Sequence, residues 1–554
     1  MTLSSAGYNS AHRFRAPWGR TNDHSTTAQT LSLPRTLEQR LKRLTESGQA
    51  NLLAGGLKGI EKESLRVTPE GYIAQTPHPQ TLGSALTHPY ITTDYSEALL
   101  EFRTPACADL EDTLSFLTHI HQFVYANIDQ ELLWATSMPC ALQGEGSIPI
   151  AHYGRSNVGM MKHVYRRGLA YRYGRAMQAI AGVHFNYSLP LSFWPAFQEL
   201  EGDRGEGQAF ISGCYLALIR NFQRLSWLIP YLFGSSPAVC GSFVDLRIKE
   251  FKEFDGGTRY QPYATSLRMS DIGYKNETQA SLEIFYNDLE SYMESLSHAV
   301  NTPHPKYQAI GVFVDGEYRQ LNANWLQIEN EYYSFIRPKQ IARSGEKPVL
   351  ALKRRGVAYV EVRALDIGCF DPLGVNAVQL RFAEAFLILC LLLESPPVDA
   401  SEWAEIQRNQ EAVATGGRDP ELKLHRKGRE VSLQAWALRI CDHLHEICTL
   451  LDEAGDGGAY IEALAVQRER LSNPEKLPSA RVLAEMRARS RSFFRFALDM
   501  SSAYRGYFLN QTFAQERTIY FEKLAQESIE KQRMLEVQDT VTFSDYLERY
   551  FAQR

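Results

Sequence analysis

The sequence predicts an α+β protein, and three observations lead there. Six stretches carry apolar residues at helical spacing: 37–53, 109–134, 208–233, 278–300, 375–394 and 431–451. Five shorter ones alternate in the manner of strands: 59–67, 98–104, 181–189, 326–333 and 357–365. The two kinds are interspersed along the chain, which sets aside an all-α fold.

In order along the chain, residues 1–35 hold Arg13, Arg15 and Arg20 against Asp23 as the one acid, with many Ser and Thr. No continuous apolar run makes them a secretory signal. The composition suits an organelle transit peptide, but a disordered N-terminal extension is the expectation. Residues 36–395 contain all the strand-like pieces and no low-complexity linker, so they are expected to form one catalytic body. Breaks at 395–398 (SPPV) and 416–420 (GGRDP) introduce residues 396–554, which read as a mostly helical lobe packed on that body. Its charged stretch from Glu516 to Gln538 is predicted to be helical.

The chain has 554 residues, 44% hydrophobic and 22% charged, the profile of a globular protein. With 59 Lys plus Arg against 64 Asp plus Glu, the net charge of -5 gives no support to a nucleic-acid binder. The longest apolar run, Phe386 to Leu393, is too short to span a bilayer and reads as a buried helix. The eight cysteines are mostly scattered, several in apolar surroundings, and no CxxC occurs. That pattern suits free thiols in a reducing cytoplasm. A monomer is the working expectation.

The strands carry the chemistry. Residues two apart share a face of a strand, so GIEKESLRV (59–67) places Glu61 beside Glu63. ALLEFRT (98–104) pairs Glu101 with Arg103, GVHFNYSLP (182–190) pairs His184 with Asn186, and GVAYVEVRAL (356–365) pairs Glu361 with Arg363. Each piece thus sets an apolar face against one with carboxylate, imidazole, amide or guanidinium; a solvated sheet face would alternate too, but it would mix Lys, Thr and Ser with its Glu. If the strands lie side by side, Glu61, Glu63, Glu101 and Glu361 converge, and Asp94 just upstream adds another oxygen. Glu97 competes for that place or is a solvated charge. Desolvated carboxylates repel unless neutralised. A divalent cation does this, and oxygen ligands select Mg²⁺, or alternatively Mn²⁺, over zinc. More than two or three carboxylates suggest several ions, which are commonly built around phosphates. The residues alone thus point to a metal-dependent enzyme acting on phosphate.

Other signals carry less. GLKGIEKES is not a phosphate loop, and GDRGEG (202–207) reads as a surface turn. CDHLHEIC (441–448) aligns Cys441, His445 and Cys448 on one helical face, but Leu438, Ile440, Leu444, Ile447 and Leu451 make it a packing helix. Neither GxSxG nor HExxH occurs.

Between Leu37 and Arg381 the chain resembles the proteobacterial type of glutamate–cysteine ligase. The resemblance is carried by GIEKESLRV, LGSALTHPYITTDYSEALLEFRTP, SMPC, YGRSNVGMMKHVYRRGL, YRYGRAMQAIAGVHFNYSLP, IPYLFGSSPAVC, YATSLRMSDIGY, LQIENEYYSFIRPK and EVRALD, in that order. The C-terminal lobe resembles the family only loosely. The resemblance implies a fold similar to glutamine synthetase: a curved, largely antiparallel sheet with the active site on its concave face, surrounded by helices. It implies ATP as co-substrate and Mg²⁺ held at Glu61, Glu63, Asp94, Glu101, His184 and Glu361, with Arg363 toward the transferring phosphate. It implies that the γ-carboxylate of L-glutamate takes the γ-phosphate of ATP and that the amine of L-cysteine then displaces phosphate, as the first step of glutathione biosynthesis. For the cysteine substrate it points to Tyr165, Arg268, Tyr274 and Tyr333, with Tyr95 and Gln178 nearby. For the glutamate carboxylate it points to Arg166, which YRRG leaves open against Arg167. Tyr95 departs from the phenylalanine of some relatives.

Three other readings compete, and a non-catalytic regulatory relative ranks last, since it should have lost at least one acidic metal position and none is missing. A ligase using a simple amine would have no carboxylate for Arg268 to bind. A metal-dependent phosphohydrolase would turn over ATP whether or not amino acids were present.

Overall fold

The computed structural model describes residues 34–244, 251–273, 279, 282–343 and 345–553. Of the expected N-terminal extension only Pro34 and Arg35 fall among these, and Tyr274 lies outside them.

The architecture is the α+β one expected, built on an antiparallel sheet. Its strands are β1 (Leu57–Val67), β2 (Ile91–Thr93), β3 (Leu99–Arg103), β4 (Leu132–Leu133), β5 (Gly182–Ser188), β6 (Ile336–Lys339) and β7 (Tyr359–Asp366). Their order is β6-β7-β5-β1-β3-β2, with β4 on the far end of β1, and every pairing is antiparallel. The register makes the shared faces coincide. Glu61 stands opposite Arg103 on one side and His184 on the other, Glu63 opposite Glu101, and Asn186 opposite Glu361.

The other face of the sheet is packed. Helix α1 (Arg35–Glu46) and helix α2 (Leu110–Tyr125) contribute to one continuous core with the buried helix Ala377–Leu392. That last helix contains the long apolar run, and among the described residues no helix is long and apolar enough to cross a membrane. All eight cysteines are free thiols.

This packed face corrects the sequence reading of β1. It was expected to be apolar, yet it presents Lys58, Lys62, Ser64 and Arg66, all buried. Each cation has its own partner. Lys58 pairs with Glu384 at 3.0 Å and donates to the Ala108 carbonyl, and Arg66 pairs with Glu131 at 2.7 Å. The Lys62 ammonium reaches His121 Nε2 at 2.9 Å, and burial pulls its pKa down to about 7.

Three other expectations move. The helix predicted over 109–134 stops at Tyr125, where Asn127 and Asp129 turn the chain; Asp129 sits at φ 48, a conformation aspartate tolerates. Of the helix predicted over 278–300, residues 278, 280 and 281 lie outside the described ones, 282–288 are not helical, and the helix runs Leu289–Asn301, capped by Asp288, which accepts from Ser291 N. The segment 326–333 is no strand but loop with a 3₁₀ turn at Glu329–Glu331. Its alternation reflects buried polar groups: Glu331 pairs with Arg172 at 2.9 Å and accepts from Gln327 N. Beyond residue 400 the chain is helical as predicted, apart from a hairpin of Lys423–Arg426 and Arg429–Ser432.

Breaking a buried ion pair leaves one charge without its partner, which costs roughly 3–5 kcal/mol. Lys58→Met should therefore lower the unfolding free energy by about that amount in denaturant titrations, and a loss under about 1 kcal/mol would show that the Lys58–Glu384 pair contributes no more than a surface one.

Candidate active site

On the open face of the sheet a cavity of about 590 Å³ gathers the side chains that the strand pattern had placed together. Glu61, Glu63, Glu101, Arg103, His184, Glu361 and Arg363 all line it, from four strands. Asp94 joins them from the turn after β2. Glu97 does not: its carboxylate accepts from the backbone N–H groups of His78 and His152 and faces a different cavity.

The carboxylates are held in distinct electrostatic states. Burial works against the charge of Glu61, yet the hydrogen bond from His184 and the charge of Lys339 outweigh it and hold the carboxyl at about 2. Glu361 is buried likewise, but Lys339 at 3.2 Å and Arg363 at 3.3 Å keep it well below the usual range. Glu63 goes the other way. Burial and the neighbouring Asp94 and Glu101 push its carboxyl well up, although it accepts a bond from Gly182 N at 2.6 Å. A group strained upward by like charges is one that an added cation would relieve.

His184 completes the set. Burial and Arg363 lower its pKa, which favours the neutral ring. With Nδ1 donating to Glu61 Oε2 at 3.3 Å, Nε2 keeps its lone pair and stands 3.8 Å from Glu63 Oε1. Ligand atoms of Glu61, His184 and Glu361 all lie within 4.8 Å of one another. An oxygen-rich group with one imidazole fits Mg²⁺ or Mn²⁺.

Arg363 sits where β7 bulges between Val362 and Leu365, an irregularity that re-aims a side chain toward the site. Its Nη1 bonds Glu361, while its buried Nε has no acceptor among the described residues. A buried guanidinium donor left open beside carboxylates is suited to an anionic ligand such as phosphate.

The wall facing the sheet is helix α3 (Asn157–Tyr173), capped by Ser156. It turns Val158, Met161, Lys162, Tyr165, Arg166, Leu169 and Tyr173 to the cavity, the stripe that helical periodicity dictates. Arg166 Nε donates to the Asp94 carbonyl, and its guanidinium lies 4.7 Å from the Tyr153 ring, whose hydroxyl bonds Thr93 O and Asp94 O. These contacts fasten α3 to the end of β2. Arg167, the alternative in YRRG, faces away and bonds Glu317 and Tyr318 O.

Tyr95, Tyr165, Gln178 and Tyr333 also line the cavity, and the Tyr95 hydroxyl is buried without a partner among the described residues. Arg268 does not line it. It is buried behind the sheet edge, 3.8 Å from Asp366 and donating to the Arg363 carbonyl. Gly182 makes room for it, since a Cβ there would meet the Arg268 guanidinium. Sequence reasoning missed Lys162, Lys339 and Arg337, which line the cavity as well. Lys162 has no ion pair among the described residues; burial and the charges of Arg166 and Arg103 lower its pKa to about 8. Its helical spacing to Tyr165 and Arg166 was the available signal. Lys339 and Arg337 were hidden because the strand carrying them was placed too early in the sequence.

With this geometry in view, comparison with known proteins is informative. Residues 41–413 match the family described as glutamate–cysteine ligase. A glutamate–cysteine ligase of Azotobacter vinelandii is 51% identical over 518 residues, covering 93% of this chain and 98% of that protein. One from Alcanivorax borkumensis is 48% identical over 520 residues, covering 93% and 99%. Among solved structures, a glutamate–cysteine ligase of Francisella tularensis in complex with AMP superposes with a TM-score of 0.84 at 34% identity, covering 90% of this chain and 97% of that one.

If the carboxylate cluster is a cation site, titration with Mn²⁺ followed by paramagnetic resonance should show bound ion. Glu361→Gln should weaken that binding by about tenfold or more with an unchanged circular dichroism spectrum. Undiminished affinity in the variant would separate the cluster from metal binding.

Proposed function

The chain belongs to the glutamate–cysteine ligase family, and from that premise we propose that it joins the γ-carboxylate of L-glutamate to the amine of L-cysteine, converting ATP to ADP and phosphate. The observation that carries this reading is the convergence of Glu61, Glu63, Asp94, Glu101, His184 and Glu361 on one cavity that also holds the open Nε of Arg363.

In this reading the glutamate γ-carboxylate attacks the terminal phosphorus of ATP, releasing ADP and leaving a γ-glutamyl phosphate. The cysteine amine then attacks the acyl carbon, and phosphate departs. Magnesium, when bound by the acidic groups, supplies charge neutralisation for the nucleotide's phosphates. The protein's own part is positioning and electrostatics. Arg363 offers its free donor to the transferring phosphoryl group, and Lys162 and Arg103 add positive charge across the cavity. Arg166, braced by Tyr153 and the Asp94 carbonyl, is placed to meet the glutamate carboxylate, with Gln178 nearby. Tyr95, Tyr165 and Tyr333 form the wall for cysteine, with Tyr274 assigned by resemblance. Arg268 reaches the cysteine carboxylate in this scheme only if it leaves Asp366, so we assign it to holding the Arg363 strand end as well. No protein nucleophile is required. The free thiols fit a reducing compartment such as the cytoplasm.

ADP release should require Mg²⁺, glutamate and cysteine together. Turnover that continues with both amino acids omitted would favour the phosphohydrolase reading. Glu61→Gln, Glu361→Gln and Arg363→Lys should each lower kcat by roughly 10²- to 10³-fold, the size expected when one group stabilising transition-state charge is lost. Near-normal kcat in all three would move the chemistry elsewhere.

A further inference from the structure

Helix α3 gives the cavity a direction. The residues it turns inward run from Val158 to Tyr173, and 15 residues at helical rise span roughly 22 Å, enough for a nucleotide and an amino acid end to end. Arg166, assigned to an amino-acid carboxylate, lies just past the helix midpoint, and Gln178 follows five residues beyond the helix end. Lys162, one turn before Arg166, meets the charges of Glu101 and Arg103. At the N-terminal end the character changes: Val158 and Met161 share the lining with Ile328, Pro348 and two tyrosines, Tyr546 and Tyr550, and Met161 clusters with Ile328 and both tyrosines.

Those tyrosines come from a helix remote in sequence, Phe543–Phe551. One stripe of it, Phe543, Leu547 and Tyr550, packs against Met161 and Val164 of α3 and against Leu321. Its position is fixed at both ends. Asn157 Nδ2 donates to the Val541 carbonyl at 3.1 Å, and the Lys347 ammonium donates to the carbonyls of Phe551 and Gln553. Tyr546 and Tyr550, four residues apart, stand side by side on this helix. Tyr546 is only partly covered, and neither hydroxyl has a protein partner among the described residues. Glu346, the nearby acid at this end, is already held by Arg354 and Arg355.

From this arrangement we infer that the helix Phe543–Phe551 builds the base-binding end of the nucleotide site, with Tyr546, the partly covered ring, presenting its face to the purine of the nucleotide. The inference takes the nucleotide from the ligase reading and adds where its base lies. Phosphates anchored at the central cluster leave two directions for the base. The amino-acid groups occupy one, and aromatic rings, which stack on any base, line the other. The helix is then part of the catalytic cavity although it begins 177 positions after the last strand of the sheet, which ends at Asp366, the helix starting at Phe543.

The test separates base from phosphate. The full chain, Tyr546→Ala and Tyr546→Phe are titrated calorimetrically with ADP and with inorganic tripolyphosphate, both in Mg²⁺. Tyr546→Ala should weaken ADP by roughly tenfold, leave tripolyphosphate within about twofold, and be rescued by Tyr546→Phe, which keeps the ring. In turnover, KM for ATP should rise while KM for glutamate and for cysteine hold. Equal weakening of ADP and tripolyphosphate, unchanged ADP binding, or a shift in the amino-acid KM values instead would overturn the assignment. Nucleotide binding is read without turnover, so a chain that shows this split but ligates nothing would overturn the ligase reading and retain the base site.

Discussion

Carboxylates crowded on a desolvated sheet repel one another, and the rest of this molecule is arranged around keeping them there. Glu61, Glu63, Glu101 and Glu361 are fixed by antiparallel register rather than by local sequence, so none can retreat without slipping a strand. The protein neutralises part of the cluster itself. Lys339 and Arg363 hold Glu361, His184 bonds Glu61, and Arg103 bonds Glu101. Glu63 is the group left raised by its acidic neighbours, and it marks how much positive charge the ligands still have to bring.

The packed side of β1 buries charge as well, with partners of its own. Lys58, Lys62 and Arg66 alternate with the catalytic-face residues and are all buried. Two of the three are matched by carboxylates, Glu384 and Glu131, while Lys62 has only a neutral imidazole at its ammonium. Its charge lies one residue from both Glu61 and Glu63, separated from them by the thickness of the sheet. Burial alone costs that ammonium a good part of its basicity.

How much of this was legible in the sequence follows from the period of the interactions. Alternation at period two gave the face shared by Glu61 and Glu63, and the same argument gave Glu101 with Arg103 and Glu361 with Arg363. Period-two alternation says less where polar residues are buried for reasons other than a site. Gln327 and Glu331 imitate a strand because they satisfy loop backbone and Arg172, and this displaced β6 and concealed Arg337 and Lys339. The buried lysines of β1 were unreadable for the same reason, since their partners lie as far off as Glu384. Arg268 shows the limit of resemblance: a family motif names the residue, but only the fold shows it turned toward Asp366. The helix Phe543–Phe551 could be read as a helix, though nothing in its residues told where it docks.

One measurement bears most directly on the central claim. Crystals of the full chain grown with Mn²⁺ and ADP should give anomalous density between Glu61, His184 and Glu361, with these side chains turned inward onto it. Manganese found only elsewhere on the protein, with the same carboxylates swung apart into solvent, would contradict the account.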